Sequence, residues 1–88
     1  MATFGGGNGC IVAAVVPEAA RIAGKSVEEI AQDREFPSAC VITGIFRDED
    51  DEFIVPRGGV VVQAGDHVFL AATADDARKA VALIQRLR

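Results

Sequence analysis

The chain has 88 residues, half of them hydrophobic and a quarter charged. That is one small domain, too apolar for disorder in its bulk, and folding buries about 63% of the surface of an unfolded chain of this mass. A formal charge of −4, with no Trp, no Tyr and only five Phe, excludes the basic footprint and the aromatic platform of a nucleic-acid binder.

Residues 1–9, Met-Ala-Thr-Phe-Gly-Gly-Gly-Asn-Gly, read as a glycine-rich lead or linker, with the folded domain over 10–88. The segment lacks the basic start and apolar stretch of a signal peptide. Cys10–Val16 is short and rich in β-branched residues, which predicts a first strand stopped by Pro17. It is also the longest clean apolar run, and a membrane span needs about 20 apolar residues. Ser26 followed by Glu29 has the spacing of a capping box, so a helix starts there, with Val27, Ile30 and Ala31 on one face. Pro37 closes that segment. Ala39–Arg47 predicts a second strand. Strict alternation puts Val41, Thr43, Ile45 and Arg47 on one face and Cys40, Ile42, Gly44 and Phe46 on the other, so both faces are expected to be covered.

The acidic run Asp48–Glu52 is a hairpin tip. Phe53–Val55 returns as a strand, Arg57–Gly59 turns, and Val60–Val62 is a short extended piece. Ala64-Gly65-Asp66 turns again before a strand over His67–Ala72. A last helix capped by Asp75 runs to about Leu87, its buried stripe formed by Ala77, Ala80, Val81, Ile84 and Leu87. The expected fold class is α+β: a small single domain in the order strand, helix, three strands, helix. Cys10 and Cys40 are too few and too far apart for a disulfide scaffold or a zinc site, and both lie in apolar runs, so they read as buried thiols.

Several motifs tempt and fail. Gly24-Lys25-Ser26 has the ending of a phosphate-binding P-loop, but Ala19 stands where its first glycine belongs and Pro17 separates it from the preceding strand. Gly5–Gly9 precedes a strand, whereas a dinucleotide fingerprint follows one. In the acidic run, Phe53 occupies the place of the obligatory glycine of an EF-hand-type calcium loop, which leaves a solvated tip or an open divalent-cation site on Asp48, Asp50 and Asp51. His67 is the only histidine, and no Gly-x-Ser-x-Gly elbow accompanies it. No catalytic constellation stands out, and the chain is not read as an enzyme.

Three stretches acquire a joint meaning in their order and spacing. They are Ala23–Ile30 around Gly24-Lys25-Ser26, the pair Phe46-Arg47 and Phe53-Ile54-Val55-Pro56, and Val62–Leu70 around Ala64-Gly65-Asp66. From about Val12 to Leu87 the chain resembles the C-terminal regulatory domain of TrkA-type potassium-uptake proteins, also called the RCK C-terminal domain. The resemblance implies a compact α+β fold, a homodimer, and in several relatives a ligand at the dimer interface: cyclic di-AMP in some, a divalent cation in others. The family's NAD-binding domain is absent, so NAD is not carried over. By position, Arg47 matches a basic residue that meets phosphate in the cyclic di-AMP relatives, Ile45 lies two residues before it, and Pro56 matches a proline beside that pocket.

The resemblance further implies a partner that is a membrane potassium channel or transporter subunit, with the chain cytoplasmic, peripheral to the inner membrane through that partner, and neither inserted in the bilayer nor bound to nucleic acid. A purely structural dimerisation module, or the regulatory domain of another cation transporter or antiporter, are the alternatives. Arg47 has two available partners: an internal carboxylate from Asp48 to Glu52, or a ligand phosphate across the dimer. The acidic run repels a dianion, so weak cyclic di-AMP binding and a modest preference for divalent cations at the tip are expected.

Overall fold

The computed structural model describes residues 2–4 and 8–88. Its strands are β1 (Ala2–Phe4), β2 (Gly9–Val15), β3 (Val41–Arg47), β4 (Glu52–Ile54) and β5 (His67–Ala72), and its helices α1 (Val27–Ala31) and α2 (Ala74–Ile84). The strands form one antiparallel sheet in the order β1-β2-β5-β3-β4. The expected α+β order therefore holds, with one strand added. Of the glycine-rich lead, Ala2–Phe4 pairs with Gly9–Ile11, and Gly5–Gly7 lie outside the described residues.

Alternation explains which side of the sheet is sealed. Along β2 and β5, Cys10, Ala14, Val68 and Leu70 are buried against the helices. Ala14, Val68 and Leu70 meet Ile22, Ile30, Ala80, Leu83 and Ile84 in one core. Both cysteines are buried and free, as expected.

β3 departs from strict alternation. Its register against β5 shifts between Ile42 and Gly44, so Thr43 is the extra residue of a bulge. Ile42 stands opposite Leu70 and Ile45 opposite Val68, both inward. The bulge thereby moves Ile45 and Arg47 to the core side, away from Val41 and Thr43, which stay exposed. The expected sharing of one face by Val41, Thr43, Ile45 and Arg47 is corrected here: alternation cannot reveal an inserted residue. On the outer side Phe53 lies over Gly44, where an added Cβ would sit 2.5 Å from its ring. Glycine there gives the ring its seat.

That outer side is not covered within the chain, against the expectation for both faces. Val41 is 59% exposed, Phe53 60% and Val15 44%, with Phe69 and Phe46 half-buried between them.

α1 starts as its sequence foretells. The Ser26 hydroxyl accepts from Glu29 N at 3.1 Å, and Ser26 N donates to the Glu29 carboxylate at 2.9 Å. Val60–Val62 does extend, but beside α1 and not in the sheet: Gly24 N donates to Val62 O, Val62 N to Lys25 O, Val27 N to Val60 O, and Glu28 N to Gly58 O. Gly24, at φ +91°, makes the turn that opens this ladder.

α2 is capped by Thr73, whose hydroxyl accepts from Asp76 N, so the helix begins before the expected Asp75. It ends at Ile84. Leu83 takes the buried place expected for Leu87, because the tail turns extended: Arg21 N donates to Arg86 O and Arg88 N to Ala19 O.

The Glu29 carboxyl is held below its ordinary value of 4.5, first by the Ser26 backbone N–H. A lowered folded value contributes stability above pH 4.5 that is lost as pH falls through it. Glu29→Ala is expected to lower the melting temperature at neutral pH, and the gap to wild type should narrow in acid well below 4.5. A gap that does not change with pH in thermal denaturation would remove the carboxylate from the cap.

Candidate functional site

Arg47 closes β3 on the core side, and its guanidinium leaves the apolar interior at the sheet's end. It does not turn to the acidic run. Its Nε donates to Asp66 Oδ1 at 2.9 Å and its Nη2 to Asp66 Oδ2 at 2.9 Å, a bidentate pair, and Nη2 also donates to Val61 O at 3.1 Å. Asp66 is 1% exposed. Its Oδ2 takes a further hydrogen bond from Gln63 N at 2.9 Å. The Asp66 hydrogen bond raises the already high Arg47 pKa, so the guanidinium stays charged.

The turn that delivers Asp66 is stitched to the end of β2. Gly65 N donates to Val16 O at 2.8 Å and Val16 N to Asp66 O at 2.9 Å. Gly65 sits at φ +89°, a conformation that side-chain-bearing residues rarely adopt. Of the carboxylates expected for Arg47, Asp48 to Glu52, none is its hydrogen-bond partner, which is Asp66. Asp66 was legible only as a turn residue. The signal for more was a lone carboxylate directly before an apolar strand, in a stretch otherwise buried at Val62, Val68 and Leu70.

The acidic run forms a 3-10 turn over Asp48–Asp50, with Asp51 left-handed at φ +50°. Asp48 reaches His67, Oδ2 to Nε2 at 2.8 Å, and the His67 ring packs edge-on to Phe46 with centroids 6.2 Å apart. Among the described residues, no three His, Cys, Asp or Glu side chains gather as metal ligands. The structure thus does not bring Asp48, Asp50 and Asp51 together as a metal site. A cavity of 280 Å³ opens between the tip and the Asp66 turn, lined by Arg47, Asp48, Glu49, Gln63 and Asp66 among others. Pro56 is half-buried and does not line it, and Ile45 is fully buried in the core with no surface to offer a ligand. Of the three residues carried over from the resemblance, Arg47 alone faces this cavity.

Truncating one partner of a buried ion pair strands the other charge. Arg47→Ala leaves Asp66 buried, whereas Asp66→Ala lets the arginine swing toward water and the acidic tip. Arg47→Ala is therefore expected to cost about 3–5 kcal/mol and Asp66→Ala less, with the double variant losing less than the sum. Chemical denaturation of the three variants checks this. Losses that simply add would mean the two residues do not act as a unit.

The fold is shared with solved structures. It superimposes on the RCK_C domain dimer of S. agalactiae BusR in complex with c-di-AMP, with TM-score 0.70 and 24% identity over 84% of this chain and 93% of that one. S. agalactiae BusR in complex with its busA-promotor DNA gives TM-score 0.66 and 24% identity, over 90% of this chain and 38% of that chain. The GsuK RCK domain gives 0.62 and 20%, over 85% and 16%. The chain thus spans well under two thirds of the length of these last two. Among curated proteins, no sequence matches significantly. The family model of the TrkA-C domain matches residues 11–85, all but the two ends of the sequence, and the chain belongs to that family.

Proposed function

We propose that this chain is a ligand-sensing regulatory module that pairs with a second copy of itself and acts on a potassium transport system. The observation that carries the reading is the outer sheet face. Val15, Val41 and Phe53 stand exposed there on a sheet whose opposite side is sealed by helices. A monomer of this size rarely leaves such a contiguous apolar surface to water without a use for it. A two-fold pairing of this face is self-complementary. The BusR relative whose fold matches is described as a domain dimer holding c-di-AMP, which supports both the pairing and the sensing.

Regulation would follow from population shift. A ligand that binds one arrangement of the pair more tightly biases the dimer toward it, and the attached partner feels that bias. The transport partner would keep the chain in the cytoplasm at the membrane surface. No helix among the described residues is long and apolar enough to cross a membrane. A second reading is favoured by the BusR chains described with promoter DNA: the parent protein regulates transcription. The acidic charge of this domain then assigns the DNA contact to another part of that protein. Attachment to another cation transporter, or dimerisation with no ligand, would leave the same surface in use.

Cyclic di-AMP is expected to bind weakly. Arg47 already holds Asp66, and Asp48 and Glu49 share its cavity. A phosphate there must displace one carboxylate and face two more. Light scattering is expected to give twice 9.2 kDa at micromolar concentration, and Val41→Asp with Phe53→Asp to give the monomer. A wild-type monomer would sink the pairing. Calorimetry with cyclic di-AMP tests the sensing: submicromolar affinity lost in Arg47→Ala would overturn the expectation of weak binding.

A further inference from the structure

The outer sheet face carries one ionisable couple, and the register of the strands locates it. Val15 stands opposite His67, His67 opposite Phe46, and Phe46 opposite Phe53. Residues directly opposite share a face. The His67 ring therefore lies in the same outward row as the exposed Val15 and Phe53. The next two rows along the strands, Ala13-Phe69-Gly44 and Ile11-Ala71-Val41, hold no titratable side chain. Asp48 meets the ring from the end of the sheet, with Oδ2 2.8 Å from Nε2. The imidazole is 33% exposed, so water still reaches it in the single copy.

The other charges near the ring are engaged elsewhere or lie in the tip. Arg47 and Asp66, the chain neighbours of Phe46 and His67, are bonded to each other. Glu52 of β4 stands opposite Arg47, and Glu49 and Asp50 belong to the same 3-10 turn as Asp48. On the β2 side Val15 brings no charge. Asp48 is thus the one acid bonded to the ring. His67 is also the only histidine of the chain, and histidine is the side chain whose charge ordinarily changes between about pH 5 and 8.

We propose that the pairing of two copies through this face is coupled to proton uptake by His67, so that the pair tightens as pH falls through the histidine range. The inference rests on the pairing proposed above and names the proton as a regulator of that surface. Covering the row takes His67 and Asp48 further out of water. With a neutral imidazole the couple carries the whole charge of the carboxylate, and burying an unpaired charge is costly. With a charged imidazole the couple is neutral and its hydrogen bond is charge-assisted. The overall charge acts in the same direction. The value of −4 counts His67 as neutral, so each protonated copy brings one negative charge less to a meeting of like charges. An assembly that binds protons more tightly than its separated parts gains stability as pH falls.

The test is sedimentation equilibrium of the full chain at about pH 6 and about pH 8, at one ionic strength, with circular dichroism confirming the fold at both. The dissociation constant of the pair is expected to be roughly tenfold lower at the acid value, a coupling of ordinary size. His67→Gln keeps a polar side chain and should remove this difference. The α-amino group also titrates near neutrality, and that variant retains it, so any residue of pH response belongs to it. Asp48→Asn, on the exposed tip, should tighten the pair at the alkaline value. It should also shrink or reverse the response, since a charged ring would then be covered without a partner. Equal affinity at both pH values, tighter pairing in alkali, or a full response in either variant would overturn the coupling and leave the pairing standing. A wild-type monomer at both pH values, or a pair that survives Val41→Asp with Phe53→Asp, would overturn the pairing and this inference with it.

Discussion

One buried ion pair joins parts of the chain that no regular element connects. Arg47 ends β3, Asp66 precedes β5, and the guanidinium also holds the carbonyl of Val61 in the long connection between β4 and β5. Through the turn of Gly65, the same aspartate is bonded to the end of β2. The pair thereby sets the ends of three strands relative to one another. Taking the Asp66 carboxylate out of water is costly, and the attraction of the partly exposed arginine offsets that cost only with good geometry and extra hydrogen bonds. Both conditions are met: two bonds near 2.9 Å between the partners, and further bonds to Gln63 N and Val61 O. An apolar pair of equal volume could fill the space without specifying which strand ends meet.

The pair also divides the electrostatics of the surface. With Arg47 bonded to Asp66, the tip from Asp48 to Glu52 forms no hydrogen bond to it, and Asp48 meets His67 instead. Arg34 and Lys79 lie on the flank of α2. The apolar outer face lies on the side of the sheet opposite α2. Three surfaces of different chemistry are thus placed by one sheet and its single helical layer.

Much of this is written locally and can be read locally. The capping box of α1 involves residues three apart, and the spacing of Ser26 and Glu29 is enough to find it. The strands follow from β-branched runs bounded by Pro17, Pro56 and the turn glycines. The bulge at Thr43 is different. It depends on how β3 lies against β5, and nothing in the order Ile42-Thr43-Gly44-Ile45 marks where an extra residue falls. The same holds for Arg47. Five carboxylates stand next to it in sequence, yet its partner is 19 positions away. Proximity along the chain favours the wrong acid, because the side chain leaves the strand on the side of the core and the tip curls away in a 3-10 turn. Where the site depended on register it was hidden, and where it depended on a cap or a turn it was visible.

The connection from Pro56 to Gln63 has no regular structure, yet it is laced to the start of α1 by backbone bonds at Gly24, Val27 and Glu28. Val61 sits at the middle of that lacing, opposite Ser26, the residue that caps the helix. Its carbonyl is also held by Arg47. A continuous hydrogen-bonded route therefore runs from the rim of the acidic cavity to the first turn of α1, with one peptide unit as its relay. Any anion that drew the arginine outward would release that carbonyl, and the disturbance would arrive at a helix cap on the far side of the loop. The connection thus ties the arginine's end of the sheet to the cap of α1 through hydrogen bonds alone, with no regular element between them.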